Sequence, residues 1–221
     1  MSRYLAQISV LLILFGAAIF ISRGTIDWVN GWLMILLLVL GQALIATIIH
    51  NNPTLVDERS SNDGERDLDR VLAGVMALYG PLLIFIVSGL DVRLNGPSAM
   101  PLETTLVGVC VALAGLLITA SAMKENRYFY GIARIDREAN HAVCSSGIYA
   151  TVRHPGYLGA IVFDLSIPLV LGSTLAFVPT LLTILAIVIR TKNEDAFLHH
   201  SLDRYQDYAQ SVKYRLIPMI W

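Results

Sequence analysis

Four long stretches of the chain contain no Asp, Glu, Lys or Arg, and polar segments separate them. Each stretch is about the 20 residues that an α-helix needs to cross the hydrocarbon core of a bilayer. The third stretch contains Pro81, which we expect to kink its helix without ending it. The pattern therefore predicts four transmembrane helices, at residues 4–22, 28–49, 71–90 and 104–123.

A fifth apolar region covers residues 155–189 and contains one charged residue, Asp164. A single helix over this region would be about 52 Å long, far longer than a bilayer requires. A Gly-Ser pair at 172–173 lies near the middle and suits a turn. We therefore predict a tight hairpin of two helices, roughly 156–171 and 174–190. The chain is then an all-α integral membrane protein with about six hydrophobic segments.

The composition supports a membrane protein. The 221 residues are 55% hydrophobic and 15% charged, with a mean hydropathy of +0.62, whereas soluble domains contain about 25% charged residues. The net charge of −1 argues against a nucleic-acid-binding protein, which would present a basic face. Two cysteines, Cys110 and Cys144, cannot form a disulfide framework, and we find no ligand spacing that predicts a metal site.

The basic residues are unevenly distributed between the predicted loops. With a cytoplasmic N-terminus, Arg23 and Arg93 lie on the outer side and the other 14 of the 16 Lys and Arg residues lie inside. Such an excess predicts that both termini and the large polar segments are cytoplasmic. We expect a multi-pass membrane protein. The predicted inner segments are residues 50–70, 124–154 and 190–221.

Two polar clusters lie at the ends of the predicted hairpin. In the first, residues 141–159, the run Arg153-His154-Pro155 suits a helix start, because Pro is favoured at the first helical position. Helix N-termini attract carboxylate and phosphate groups. In the second, Arg190 shares a helix face with Glu194. The hairpin would bring both clusters to one membrane surface, although a basic membrane anchor and an exposed salt pair remain alternatives at this point.

Two further features are candidates for function. Asp164 is an intramembrane carboxylate, a class of residue that is often functional, although a hydrogen bond to a neighbouring helix is an alternative. The C-terminal segment from Leu198 alternates basic, aromatic and apolar residues, including Tyr205 and Tyr208. This alternation indicates an amphipathic segment that covers the base of the hairpin.

At these residues the sequence resembles the isoprenylcysteine carboxyl methyltransferase family, within the wider phospholipid methyltransferase group, and specifically its bacterial members. The resemblance rests on three motifs. They are His141-Ala-Val-Cys-Ser-Ser-Gly-Ile-Tyr149, Arg153-His-Pro-Gly-Tyr-Leu-Gly159 and Arg190-x-x-x-Glu194-Asp195. The resemblance implies a single membrane domain, with N-terminal transmembrane helices over 1–101 and a methyltransferase core over 102–221. In that core the cytoplasmic loop and the tail would complete the cofactor site.

The resemblance also implies an activity, which is methyl transfer from S-adenosyl-L-methionine to a carboxylate of a lipidic or thiol-linked acceptor. Arg190 is then expected to bind the acceptor and to carry catalysis. The expected partners are an amphiphilic substrate and membrane lipids, without nucleic acid or metal. The resemblance to bacterial members implies a bacterial inner membrane. The residues expected to hold the cofactor are His141, Ala142, Val143, Cys144, Tyr149, His154, Pro155, Gly156, Tyr157 and Glu194.

The motifs depart from the family pattern at two points, since Asp195 stands where a second Glu is usual and Cys144-Ser145 replaces Val-Thr. Both departures affect the expected substrate. Phospholipid N-methylation and thiol S-methylation on the same scaffold are therefore alternatives. An NADPH-dependent membrane reductase and a small transporter or structural membrane protein are more distant ones.

Overall fold

The computed structural model of the protein describes residues 2–51, 67–96, 100–129 and 142–221. The described residues form eight α-helices, a π-helical turn at Val75–Tyr79 and a 3₁₀ turn at Gly147–Ala150, with no strand among them. The helices are α1 (Ser2–Arg23), α2 (Val29–Asn51), α3 (Asp67–Gly74), α4 (Gly80–Asn95), α5 (Leu102–Glu125), α6 (Pro155–Leu171), α7 (Phe177–Ser201) and α8 (Tyr205–Ser211).

Within the described residues, four helical stretches are long and apolar enough to cross a membrane. They coincide with the four stretches predicted from the sequence, so the all-α membrane fold is confirmed. Helix α6 is apolar but shorter, and the count of six segments stays a prediction. The four stretches are Ala6–Arg23, Val29–Asn51, Leu68–Asn95 and Leu102–Glu125.

The third stretch contains a π-helical turn immediately before Gly80 and Pro81. Proline lacks a backbone N–H, so the helix before it loses a regular hydrogen bond, and a π turn is one way in which a helix accommodates such a disturbance. A Cβ at Gly80 would lie 2.5 Å from the side chain of Thr183. Gly80 therefore lets the third stretch approach α7 closely.

Helices α5 and α6 also pack with their backbones in close approach. A Cβ at Gly115 would lie 2.8 Å from the carbonyl oxygen of Gly159, and a Cβ at Gly159 would lie 2.9 Å from that of Gly115. Small residues at a helix crossing allow such an approach in membrane proteins. The crossing holds the start of α6 beside the end of α5.

Helix α6 is followed by Gly172, whose φ of 71° is left-handed and favours glycine. Helix α7 follows and packs against α6. Asp91, near the end of α4, accepts hydrogen bonds from the Ser173 hydroxyl at 2.6 Å and from the Leu175 N–H at 3.1 Å. The prediction that the second arm ends at 190 was wrong, because α7 continues to Ser201.

The C-terminal tail folds back over the start of α6. The N–H groups of Arg153 and His154 donate to the carbonyl oxygens of Tyr214 and Arg215, each at 2.9 Å. Within the tail, a small apolar cluster is formed by Leu202, Tyr205, Tyr208 and Val212. The tail is therefore part of the wall around the polar ends of α6 and α7.

Candidate functional site

A cavity of about 450 Å³ lies where α3, α5, α6 and α7 meet the tail. This volume is in the range of small-molecule sites, which span roughly 300–1,000 Å³. The lining combines small apolar side chains, such as Ala77 and Ala160, with the charged side chains of Arg190 and Glu194. The cavity therefore suits a ligand that is partly apolar and partly charged.

Glu194 presents a carboxylate to the cavity. The hydroxyl of Tyr157 donates to Glu194 Oε2, and His154 Nδ1 lies 3.9 Å from Glu194 Oε1. The Glu194 side chain is 21% exposed, so it remains accessible to a ligand. An ionised carboxylate has about four lone-pair positions. Glu194 can therefore accept further hydrogen bonds from hydroxyl or ammonium groups.

Arg190 is a buried cation that lies over the Tyr157 ring. Its side chain is 2% exposed, and its guanidinium carbon lies 5.3 Å from the Tyr157 ring centroid. This distance is within the range of a cation–π interaction. Tyr157 thus contacts the basic residue through its ring and the acidic residue Glu194 through its hydroxyl.

Arg190 also forms an ion pair with Asp69 of α3, with Nε 3.0 Å from Oδ1. Asp69 was not predicted as a site residue, because it falls in the predicted polar loop 50–70. Its position near the start of an apolar run was a weak signal at most. The two residues are 121 positions apart, and the contact arises from the close packing of α7 on the third stretch.

Asp195 is the centre of a buried polar network and does not line the cavity. Its side chain is 1% exposed and accepts hydrogen bonds from Arg153, His154, Tyr205 and Arg215 at 2.7–3.1 Å. Burial alone would raise the pKa of Asp195, but the hydrogen bonds from His154, Arg153 and Arg215 hold it well below its usual range. The expectation that the Asp in place of Glu affects the substrate is not supported by this position, since Asp195 faces the protein interior.

Tyr149 and the tail residue Tyr208 contribute to the wall of the cavity. Tyr208 donates from its hydroxyl to the Tyr149 carbonyl oxygen at 2.7 Å, and Asn126 lies 3.4 Å from the Tyr149 hydroxyl. Burial raises the pKa of both Tyr149 and Tyr208. Their hydroxyls, like that of Tyr205, therefore remain neutral at physiological pH. The tail Tyr-x-x-Tyr spacing was visible in the sequence but did not reveal this contact.

Cys144 lines the cavity as a protonated thiol. Burial raises its pKa, and its Sγ lies 3.7 Å from the Glu125 carbonyl oxygen. The thiolate, rather than the thiol, is the nucleophile in cysteine chemistry. The environment of Cys144 therefore does not favour a nucleophilic role.

Most of the predicted site residues lie together. Pro155 does not line the cavity, because it is buried as the first residue of α6. Asp164 is also buried away from the cavity, and His141 lies outside the described residues. The predicted residues that line the cavity are Ala142, Val143, Cys144, Tyr149, His154, Gly156, Tyr157, Arg190 and Glu194.

Residues 106–200 match the model of the isoprenylcysteine carboxyl methyltransferase family. The matched segment contains α6, both glycines of the α5–α6 crossing, and the cavity residues Tyr157, Arg190 and Glu194. Over this segment, which is a little less than half of the chain, the protein is similar to the isoprenylcysteine carboxyl methyltransferase family. This similarity favours a methyltransferase over the reductase and transporter alternatives.

Two curated relatives are similar over the same region. The chain is 30% identical over 109 residues to "Probable protein-S-isoprenylcysteine O-methyltransferase" from Oryza sativa subsp. indica, covering 48% of this chain and 57% of the relative. It is 30% identical over 115 residues to "Protein-S-isoprenylcysteine O-methyltransferase" from Schizosaccharomyces pombe, covering 50% and 47%. The chain thus spans about half the length of these relatives. The bacterial-type interpretation stays a prediction.

The isoprenylcysteine carboxyl methyltransferase segment supplies only part of the cavity. Asp69 and the lining residues Ala73 and Met76 precede it, and Tyr205 and Tyr208 follow it. The cavity is therefore built from the matched segment together with one helix before it and the tail after it.

Proposed function

We propose that the chain is a membrane methyltransferase that uses S-adenosylmethionine to methylate the carboxylate of an amphiphilic S-isoprenylcysteine-type acceptor. One observation carries this proposal, which is the position of Arg190 and Glu194 on one cavity wall, joined by Tyr157. A basic and an acidic group side by side can bind two oppositely charged ligands next to each other. Methyl transfer between two substrates requires such a juxtaposition.

The residues that line the cavity fit S-adenosylmethionine. Glu194 would accept hydrogen bonds from the ligand's hydroxyl or ammonium groups, and its negative charge suits a cationic ligand. The ring of Phe129 lies against Gly156, where a Cβ would be 2.6 Å from the ring, and it provides an apolar surface in the cavity for a flat base. When bound, S-adenosylmethionine would supply an electrophilic methyl group on a sulfonium.

A carboxylate acceptor needs no general base, because it is already ionised and nucleophilic. The chain's contribution would then be positioning and exclusion of water, which are sufficient for an in-line displacement. Arg190 would orient the acceptor carboxylate with its planar guanidinium. The apolar lining from Ala73, Met76 and Ala160 would contact the lipidic part of the acceptor.

Arg190 distinguishes this proposal from phospholipid N-methylation. A protonated amine acceptor would be repelled by the buried guanidinium. A neutral amine acceptor would become an ammonium group on methylation and would then have to lose a proton. An anionic acceptor is stabilised by the same cation. Thiol S-methylation involves an anionic acceptor too, and it is separated from carboxyl methylation by the assay below.

The test is methyl transfer from radiolabelled S-adenosylmethionine by the purified protein in liposomes. The acceptors are S-farnesylcysteine, its carboxamide, farnesyl thiol and phosphatidylethanolamine. We expect label in the first acceptor, as a base-labile methyl ester. Incorporation into the thiol or the phospholipid instead would contradict carboxyl methylation. Failure to bind S-adenosylmethionine would contradict the cofactor assignment.

A further inference from the structure

Asp69 is a buried acidic residue that lies before the segment matched by the family and holds the proposed acceptor-binding arginine. Asp69 is 7% exposed and Arg190 is 2% exposed. The Asp69 Oδ1 accepts a hydrogen bond from Arg190 Nε at 3.0 Å. Burial makes this interaction stronger than an exposed ion pair, because the surrounding medium screens it less.

The contact fixes the plane of the guanidinium. Nε is the nitrogen closest to the aliphatic chain, so a hydrogen bond there restricts rotation of the terminal group. The Tyr157 ring lies 5.3 Å from the guanidinium carbon, and Met76 Sδ lies 3.8 Å from Nη1. These three contacts come from α3, the π turn and α6, so they define one orientation of the Arg190 side chain.

The same guanidinium is able to bind a second carboxylate. An arginine carries five N–H donors in one plane and can engage different acceptors along different edges. Asp69 takes the edge that contains Nε. An acceptor carboxylate would approach the cavity-lining part of the same group, and its angle of approach would be set by Asp69.

The position of Asp69 depends on the close contact between Gly80 and Thr183. Because α4 and α7 touch there, the helical segment that precedes Gly80 runs beside the segment of α7 that follows Thr183. Asp69 lies in the segment before Gly80, and Arg190 lies in the segment of α7 after Thr183. The register between the third stretch and α7 therefore brings the carboxylate to the guanidinium.

We propose that Asp69 is a positioning residue of the acceptor site, which orients the Arg190 guanidinium for the acceptor carboxylate. This inference rests on the proposed function, because it takes Arg190 as the acceptor-binding residue. Asp69 acts through Arg190 and does not itself contact the acceptor. Its removal should therefore affect the recognition of a carboxylate and leave cofactor binding intact.

The experiment compares binding of S-farnesylcysteine and of its carboxamide to the full-length protein in detergent, alongside S-adenosylmethionine affinity and kcat/KM. The variants are Asp69→Asn, Arg190→Lys, the double variant and Arg70→Gln. Arg70 is an exposed neighbour on the same helix, so Arg70→Gln is a matched control for a change of one charge. Asp69→Glu retains the carboxylate and serves as the conservative variant if Asp69→Asn does not fold.

In Asp69→Asn, the preference for acid over amide and the acceptor kcat/KM should fall by roughly 10–30-fold, as expected for one charge-assisted contact. Cofactor affinity and the Arg70→Gln variant should match wild type. In the Arg190→Lys background, Asp69→Asn should add less than about threefold, since two residues that act as a unit are non-additive. Asp69→Glu should lose part of the preference, because its longer side chain displaces the guanidinium.

Several results would overturn the inference. One is an unchanged preference for acid over amide in both Asp69→Asn and Asp69→Glu. Another is a fall in acceptor kcat/KM on Asp69→Asn that is equal with Arg190 and with Lys at this position. A third is tighter acceptor binding in Asp69→Asn, which would mean that Asp69 competes with the acceptor carboxylate for Arg190. Wild-type protein that does not prefer the acid would overturn it as well. A wild type that prefers the acid but transfers no methyl group would contradict the proposed function and leave the positioning role standing.

Discussion

Arg153 and Asp195 form a two-point ion pair, with Nε 2.8 Å from Oδ1 and Nη2 3.0 Å from Oδ2. Arg153 precedes α6 and Asp195 lies in the polar part of α7, so the pair joins the two helices beside the cavity. Arg153 Nη1 also donates to the Val212 carbonyl oxygen at 2.8 Å. The same arginine therefore ties the C-terminal tail to both helices, and the pair is part of the scaffold of the site.

Replacing Asp195 by Asn should destabilise the protein strongly. The substitution leaves the buried Arg153 without its counter-charge, and breaking a buried ion pair in this way costs about 3–5 kcal/mol. Thermal unfolding in detergent, followed by the loss of helical circular dichroism, measures the effect. Asp207→Asn is the control, because Asp207 is an exposed acidic residue of α8. Equal melting of the two variants would remove Asp195 from the scaffold.

The contribution of Asp195 should disappear in acid. Burial acts to raise the pKa of Asp195 in the folded state, but hydrogen bonds from His154, Arg153 and Arg215 outweigh burial and lower it. The stabilisation is therefore fully present above the ordinary Asp pKa of about 3.9 and is lost as the pH falls below it. The difference in melting temperature between wild type and Asp195→Asn should be constant between about pH 5 and 8 and should shrink below about pH 4. A difference that shrinks near neutral pH would contradict this assignment.

Glu194→Gln should weaken the binding of S-adenosylmethionine. The variant keeps the size of the side chain but removes the negative charge at the cavity, with an expected loss of roughly 10–100-fold in affinity. Isothermal titration calorimetry of the purified protein gives the dissociation constant. The unliganded melting temperature should stay near that of wild type, since the Glu194 side chain is partly exposed. Wild-type affinity in this variant would exclude Glu194 from the cofactor site.

Arg190→Lys should lower the acceptor kcat/KM by roughly 10–100-fold while cofactor affinity is retained, because Lys cannot reproduce the planar two-point geometry of a guanidinium. The measurement is steady-state methylation of S-farnesylcysteine at saturating S-adenosylmethionine. The same substitution at Arg204, an exposed residue of the tail, should have no effect. Full activity of Arg190→Lys would assign Arg190 to a structural role.

The ends of α4 and α6 should lie on the same side of the membrane, opposite the tail. Asp91 contacts both Ser173 and Leu175, and the charge distribution predicts that the tail lies inside. In a variant without Cys110 and Cys144, single cysteines at the exposed positions Asn95 and Thr174 should react with an impermeant maleimide from outside. A cysteine at Asp207 should react only after permeabilisation. Reaction of the Thr174 and Asp207 cysteines from one side would contradict the six-segment prediction.

The sequence predicted the helical elements well because each depends on its own residues. A run of about 20 apolar residues has few alternatives to a membrane helix, since the hydrocarbon core offers no hydrogen-bond partners for the backbone. The predicted helix boundaries were wrong where a helix continued from apolar into polar residues. Helix α7 runs 11 residues past the predicted end at 190, to Ser201. Its polar end is held by contacts with the tail, such as those of Asp195 with Tyr205 and Arg215.

The motifs also contained residues that lie together in the fold, since nine of the eleven predicted site residues line one cavity. Their roles in binding the cofactor and the acceptor stay predictions. The motifs did not separate the roles of adjacent residues. Glu194 faces the cavity and Asp195 faces the interior, because neighbouring positions on a helix point about 100° apart. The sequence alone does not say which of two adjacent acids faces a ligand.

The sequence by itself thus determined an all-helical membrane protein, the four long apolar helices and the motif that forms one side of the cavity. The tertiary structure decided the partners: Asp69 for Arg190, Arg153 and Arg215 for Asp195, and Tyr208 for Tyr149. These contacts depend on the register between helices, which is set where Gly80 meets Thr183 and Gly115 meets Gly159. Hydrophobic periodicity reports which face of a helix is buried, but the docking of two helices depends on the shapes of both surfaces together.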